Sequence, residues 1–167
     1  MEFKIYGNKE VFEKKLPVTL TIGNFDGLHR GHRLILDTAL RRANALGVPA
    51  AVLTFEPHPR EFFKPDAPRL RLMRLREKLV ALKAQGFDAV FMPRFDAQLA
   101  ATRAEDFVRD LLVQQLGVCE VVTGEDFCFG AKRGGDSQFL AQAAKVHGFS
   151  YHAIAPLSDG EVISSTA

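Results

Sequence analysis

Apolar residues along this chain fall into two alternating patterns. Short continuous runs at 18–22, 50–55, 89–92, 118–122 and 151–154 read as strands buried on both faces. Between them the apolar positions recur at helical spacing. In 32–46, Ile35, Leu36, Ala39, Leu40, Ala43 and Leu46 form one stripe, and Gly47 supplies the stop. A more basic helix is predicted over 72–85, ending at Gly86. Another opens at Thr102-Arg103-Ala104-Glu105, which has the spacing of a capping box, and runs to about Leu116 before Gly117. A last one is capped by Ser137 and ends near Gly148.

This strand-helix rhythm predicts an α/β fold, a mostly parallel sheet with helices on both faces. Ligands of such sheets sit beyond the carboxyl ends of the strands. Two long loops follow predicted strands and belong to that rim: 56–69, rich in proline, and 124–136, with four glycines and two phenylalanines. At 167 residues the chain is sized for one domain, taken as 1–167, with no internal repeat and no low-complexity segment. The stretch 156–167 contains no element to finish it and reads as a cut end.

Composition narrows the partners. With 22 basic and 20 acidic side chains the net charge is +2, too small for a dedicated nucleic-acid binder, and the basic cluster at 69–83 reads as a solvated helix face. No apolar run approaches the ~18 residues of a membrane span, and Glu2, Lys4, Lys9 and Glu10 stand where a leader would be basic and then apolar. Cys119 and Cys128 are too few for a disulfide scaffold, which suits a reducing, cytoplasmic setting.

The chemistry concentrates after the first predicted strand, in Thr21-Ile22-Gly23-Asn24-Phe25-Asp26-Gly27-Leu28-His29-Arg30-Gly31-His32. A buried strand running through a glycine-punctuated turn into a helix is a phosphate-binding layout, because free backbone N–H groups and the positive end of the helix dipole meet there. Gly23, Gly27 and Gly31 fall four apart, so this is not a dinucleotide fingerprint, and no P-loop exists in the chain. His29 and His32 could grip phosphates and stabilise charge that builds on them. As a bare pair they would more often be surface or structural histidines; the strand, glycine turn, Asn24, Asp26 and helix around them are what point to phosphate. A third ligand at zinc spacing is missing, so no metal site is assigned to them.

The H-x-G-H element at His29-Arg30-Gly31-His32 resembles the signature of the nucleotidyltransferase superfamily. The fuller set is narrower. Gly23 to His32, then Thr54-Phe55-Glu56-Pro57-His58-Pro59, Gly124-Glu125-Asp126-Phe127-Cys128-Phe129-Gly130, Arg133-Gly134-Gly135-Asp136 and Ile163-Ser164-Ser165-Thr166 resemble, in order, the FMN adenylyltransferase domain of bacterial bifunctional riboflavin kinase/FAD synthetases.

That resemblance implies a Rossmann-like nucleotidyltransferase fold and transfer of AMP from ATP to FMN, giving FAD and pyrophosphate with Mg2+. It implies that Gly23, Asn24, Phe25, Asp26 and Gly31 line the ATP site and that His29 and His32 hold the triphosphate. It further implies that Asp126 helps hold the magnesium-nucleotide complex and that Arg133 reaches phosphate. Ser164, Ser165 and Thr166 resemble a mobile phosphate-gripping loop. For the flavin, an apolar slot is needed, and Phe55, Pro57, His58, Pro59, Phe62 and Phe129 on the two rim loops are the candidates among 14 Phe, 2 Tyr and no Trp. Small-molecule substrates and a fused riboflavin kinase domain, absent here, are the implied partners. Neither nucleic acid nor membrane is implied, and the oligomeric state is not. The family's basic residue after Ser-Ser-Thr lies beyond Ala167, so a binding module without turnover stays open beside the enzyme. So does a sister transferase with another phosphate acceptor.

Overall fold

A computed structural model describes residues 3–7, 17–23, 25, 30–56, 63 and 75–155 of the chain. Six strands form one sheet: β1 (Lys4–Tyr6), β2 (Thr19–Ile22), β3 (Ala50–Leu53), β4 (Ala89–Phe91), β5 (Glu120–Gly124) and β6 (Ser150–Ile154). They lie in the order β1-β4-β3-β2-β5-β6, and every pairing among them is parallel. The sequence pattern found five of the six. β1 was missed because three residues, two of them polar and exposed or aromatic, carry no periodicity; it pairs with β4 only at the sheet's edge.

Helices cover both faces, as the strand-helix rhythm requires. On one face α1 (Arg30–Leu46) and α2 (Leu75–Gln85) bury Leu36, Ala39, Ala43 and Leu82 against Val52, Val90 and Val122. Leu46, expected on the apolar stripe, is exposed. The short α3 (Ala97–Ala100) was not anticipated; Asp96 caps it by accepting from Leu99 N–H at 2.9 Å. On the opposite face, Ala104–Asp106 leads into a ten-residue π-helix, Phe107–Leu116, and α4 (Ser137–His147) follows β5. Their apolar sides meet Leu20, Ile22, Leu53, Phe91 and Val121.

Two helix starts differ from the expectation. The capping box does not form: Thr102 Oγ1 donates back to the Gln98 carbonyl at 2.9 Å, and the cap position falls on Arg103, which makes no side-chain cap bond. The cap of α4 is Asp136, whose carboxylate accepts from Phe139 N–H at 2.8 Å, one residue before Ser137.

Among the described residues one charge is fully buried. Glu120, the first residue of β5, is 0 % exposed. Arg42 of α1 donates to it through Nε at 3.0 Å and Nη2 at 2.9 Å, and His152 Nε2 lies 3.0 Å away. Burial works to raise the carboxyl's pKa, but the hydrogen bonds from Arg42 and His152 outweigh it and hold the group below its ordinary value of 4.5. The cluster ties α1, β5 and β6 together at the amino-terminal edge of the sheet, opposite the rim where the loops lie.

Candidate functional site

β2 connects onward to β3 on one side and pairs with β5 on the other, so the direction of winding reverses between β2 and β5. Loops leaving two such strands diverge and open a crevice at their carboxyl ends. β2 exits through Gly23 and Phe25 into α1; β5 exits into the loop that carries Phe127 to Arg133.

At the β2 exit, Phe25 is buried (3 % exposed) and holds a left-handed backbone, φ +52°. Its ring lies over Gly23, where a Cβ would come within 2.9 Å of it, so a side chain at Gly23 would displace the ring. The ring also meets His32 edge-on, with centroids 5.4 Å apart and an interplanar angle of 85°. Phe25 therefore packs into the core against Gly23, and its ring orients His32 in the first turn of a 17-residue helix. An α-helix start of this kind is where backbone N–H groups and the positive end of the helix dipole favour an anion. Asp126 is exposed on the β5 loop; its Oδ1 lies 3.0 Å, and Ile35 Cδ1 3.3 Å, from the point a Cβ on Gly124 would occupy. The carboxylate thus stands beside α1, one turn beyond His32.

Among the segments that follow β3, β4 and β5 is a cavity of about 890 Å³, lined mainly by Phe55, Phe63, Phe95, Phe107 and Phe129 with Lys132 and Arg133 in its wall. Its size falls within the roughly 300–1,000 Å³ of small-molecule sites. The rings form a continuous ladder: Phe63 to Phe95 at 5.7 Å, Phe95 to Phe55 at 5.6 Å, Phe55 to Phe107 at 6.2 Å and Phe107 to Phe129 at 5.2 Å. Backbone pairing beyond β3 and β4 puts Phe55 and Phe95 side by side, through Phe95 N–H to the Glu56 carbonyl at 3.2 Å and the Glu56–Arg94 bridge. Phe63 is 63 % exposed and the others are buried or partly so.

The basic wall is held by glycines. Phe129 and Gly135 exchange backbone hydrogen bonds at 3.1 and 2.9 Å, closing the turn between them. Gly130 (φ +79°) lies against the Ala104 backbone, and Ala131 N–H donates to the Thr102 carbonyl at 2.7 Å. Lys132 and Arg133, both exposed, follow with φ +55° and +54°.

The expected residues therefore fall in two groups. Gly23, Phe25, Gly31, His32 and Asp126 gather around the start of α1, whereas Phe55, Phe129 and Arg133 share the aromatic cavity. Arg133, grouped with the nucleotide on the resemblance, stands in the aromatic wall. Asn24, Asp26, His29, Pro57, His58, Pro59, Phe62, Ser164, Ser165 and Thr166 lie outside the described residues. Phe63, Phe95, Phe107 and Lys132 join the site without any signal in the sequence pattern. Phe63 directly follows Phe62, and two adjacent rings in a proline-rich stretch carry no periodicity that tells which one faces a ligand.

Among the described residues no set of three His, Cys, Asp or Glu side chains could hold a metal, and no helix is long and apolar enough to cross a membrane. Cys119 and Cys128 are free.

Comparison with known proteins bears on this site. The family model described as FAD synthetase matches residues 12–167. The chain is 46% identical over 149 residues to the bifunctional riboflavin kinase/FMN adenylyltransferase of Escherichia coli (strain K12), covering 89% of this chain and 48% of the relative. It is 44% identical over 147 residues to the protein of that name from Pseudomonas fluorescens, covering 87% and 47%. The chain thus spans about half the length of the curated relatives it matches. Among solved structures it resembles a macrolide-efflux protein from Streptococcus pneumoniae, with TM-score 0.81 and 22% identity over 96% of this chain and 52% of that one. A pantoate-beta-alanine ligase from Francisella tularensis gives TM-score 0.60 and 15% identity over 95% and 69%. These two likenesses are of fold, and they agree with the parallel, doubly covered sheet.

Proposed function

The chain belongs to the FAD synthetase family, and from that premise we propose that it transfers AMP from ATP to the phosphate of FMN, giving FAD and pyrophosphate. An oxygen of the FMN phosphate bonds to the α-phosphorus of ATP, the bond from that phosphorus to the β-bridging oxygen breaks, and pyrophosphate leaves. A phosphate monoester is largely dianionic at neutral pH, so it attacks without a general base. What remains for the protein is to position the reactants and stabilise charge.

The observation that carries this reading is the pairing of two unlike half-sites on one rim. Helix α1 begins beside His32 at the exit of β2, and the aromatic cavity with its basic wall opens beside the exit of β5. Gly23, Asn24, Phe25, Asp26 and Gly31 take the nucleotide. His29 and His32 donate to its phosphates, Ser164, Ser165 and Thr166 serve the leaving phosphates, and neither histidine shuttles a proton. Phe55, Phe129 and Phe63 enclose the isoalloxazine ring, with Pro57, His58, Pro59 and Phe62 on the loop that follows β3.

Mg2+ fits what is present. This ion keeps several waters and is held by one or two carboxylates plus substrate phosphates, and Asp126 is one exposed carboxylate next to α1. When bound, Mg2+ neutralises charge on the triphosphate. We place the reaction in the cytoplasm, in keeping with two free thiols, and take a riboflavin kinase domain as the fused partner.

The test is incubation with ATP, Mg2+ and an equimolar mixture of FMN, phosphopantetheine, nicotinamide mononucleotide, nicotinate mononucleotide and glycerol 3-phosphate, read by mass spectrometry. FAD as the sole new nucleotide is expected. A different adenylylated product overturns the flavin assignment, and binding of FMN and ATP without product reduces the chain to a binding module.

A further inference from the structure

The turn between Phe129 and Gly135 is built against local preference. Glycines stand at 130, 134 and 135, yet two of the left-handed positions fall on Lys132 (φ +55°, ψ +26°) and Arg133 (φ +54°). Side chains other than Asn and Asp seldom take that conformation, and strain of this kind concentrates at functional sites. Both residues line the cavity, both are exposed, and neither side chain has an ion-pair partner among the described residues. Phenylalanine, leucine and alanine make up most of the remaining wall. Two adjacent cations on an otherwise apolar cavity create a local positive potential suited to a ligand with a planar apolar body and one anionic end.

We propose that Lys132 binds the phosphate of FMN, together with Arg133, and that this pair makes the site select phosphorylated over unphosphorylated flavin. The inference rests on the FMN reading and adds a residue and a discrimination to it. The two cations divide the work: the guanidinium can fork two donors onto phosphate oxygens, whereas the ammonium acts as a compact charge. The strained turn holds both at the wall, where glycine at 132 would fit the backbone better but carry no charge.

Two variants separate charge from conformation. Lys132→Gly relaxes the backbone, and Lys132→Asn removes the charge while keeping a side chain that tolerates the left-handed region. Binding is measured by titration with FMN, riboflavin and ATP, beside thermal melting. Both variants are expected to weaken FMN about tenfold, the effect of losing one charge-assisted contact. Riboflavin and ATP should bind as before, Lys132→Gly should melt no lower than the parent, and Lys132→Arg should restore FMN binding. The proposal fails if FMN affinity is unchanged in both variants, or if FMN and riboflavin weaken equally. In either case a parent chain that still forms FAD leaves the FMN reading standing, whereas a parent that binds no FMN overturns both.

Discussion

Replacing Gly130 by alanine tests how the cavity wall is held. At φ +79° and ψ +170° Gly130 occupies a region that is essentially reserved for glycine. A Cβ there would sit 2.8 Å from both Cα and N of Ala104 and 3.1 Å from its Cβ. The two nearest atoms are backbone and alanine has no rotamer to change, so only a backbone shift relieves the clash. Backbone strain of about 1–3 kcal/mol adds to overpacking of about 1–3 kcal/mol, for a total of roughly 2–6 kcal/mol. For a domain of this size, at about 2–4 °C per kcal/mol, that corresponds to a melting-temperature drop of roughly 4–24 °C. The loop's escape is to swing away from Ala104, which gives up the 2.7 Å bond from Ala131 to Thr102 and carries Lys132 and Arg133 off the wall. In that case the thermal loss moves toward the lower figure and FMN affinity falls while ATP affinity holds. Calorimetry with and without FMN reads both quantities. Gly134→Ala is the control: its φ is −70° and its nearest neighbour, the Ala131 carbonyl oxygen, is 3.4 Å from a new Cβ, so a change within about 0.5 kcal/mol is expected. A Gly130→Ala chain that melts and binds FMN like its parent would refute the packing argument.

Three further outcomes are expected. Phe63→Ala should cost no more than about 1.5 kcal/mol of stability, the worth of an edge contact such as that with Phe95 on a ring 63 % exposed, but weaken flavin binding; a larger loss of stability with unchanged flavin affinity would assign the ring to packing instead. His32→Asn should slow pyrophosphate release by roughly 10²-fold if the imidazole stabilises developing charge, and an unchanged rate removes it from the chemistry. Glu120→Gln should lower the melting temperature at pH 7 and flatten its decline in acid. The folded carboxyl titrates below its ordinary value of 4.5, so its contribution is complete above that pH and is lost as the pH falls through the folded value. Parallel acid unfolding curves for variant and parent would contradict this.

Much of the architecture is readable from the chain because parallel strands buried on both faces leave plain apolar runs, and glycines mark the helix ends at 47, 86, 117 and 148. The failures have local causes. Thr102 had the spacing of a cap, but the preceding α3 offered the Gln98 carbonyl as a nearer partner for its hydroxyl. The π-helix repeats the apolar pattern of an α-helix closely enough to pass for one, and its wider winding shows only in the hydrogen bonds, such as Gly117 N–H to the Leu112 carbonyl. At the site, the glycine turn and the aromatic loops announced a ligand. Lys132 did not, since its interest lies in a dihedral angle, and Phe63 was hidden by its neighbour.

The strand order sets a timetable for a chain made from its amino end. β2, β3 and β4 are all available once residue 91 has emerged, but the second neighbour of β2 is β5, which spans 120–124. Throughout that interval β2, whose four residues are all buried in the finished sheet, has an open hydrogen-bonding edge. The wall that carries Phe129, Lys132 and Arg133 comes later still. A nascent chain therefore passes its most adhesive stage before it can form the aromatic cavity, and a flavin held there cannot stabilise the half-built sheet when stabilisation would matter most.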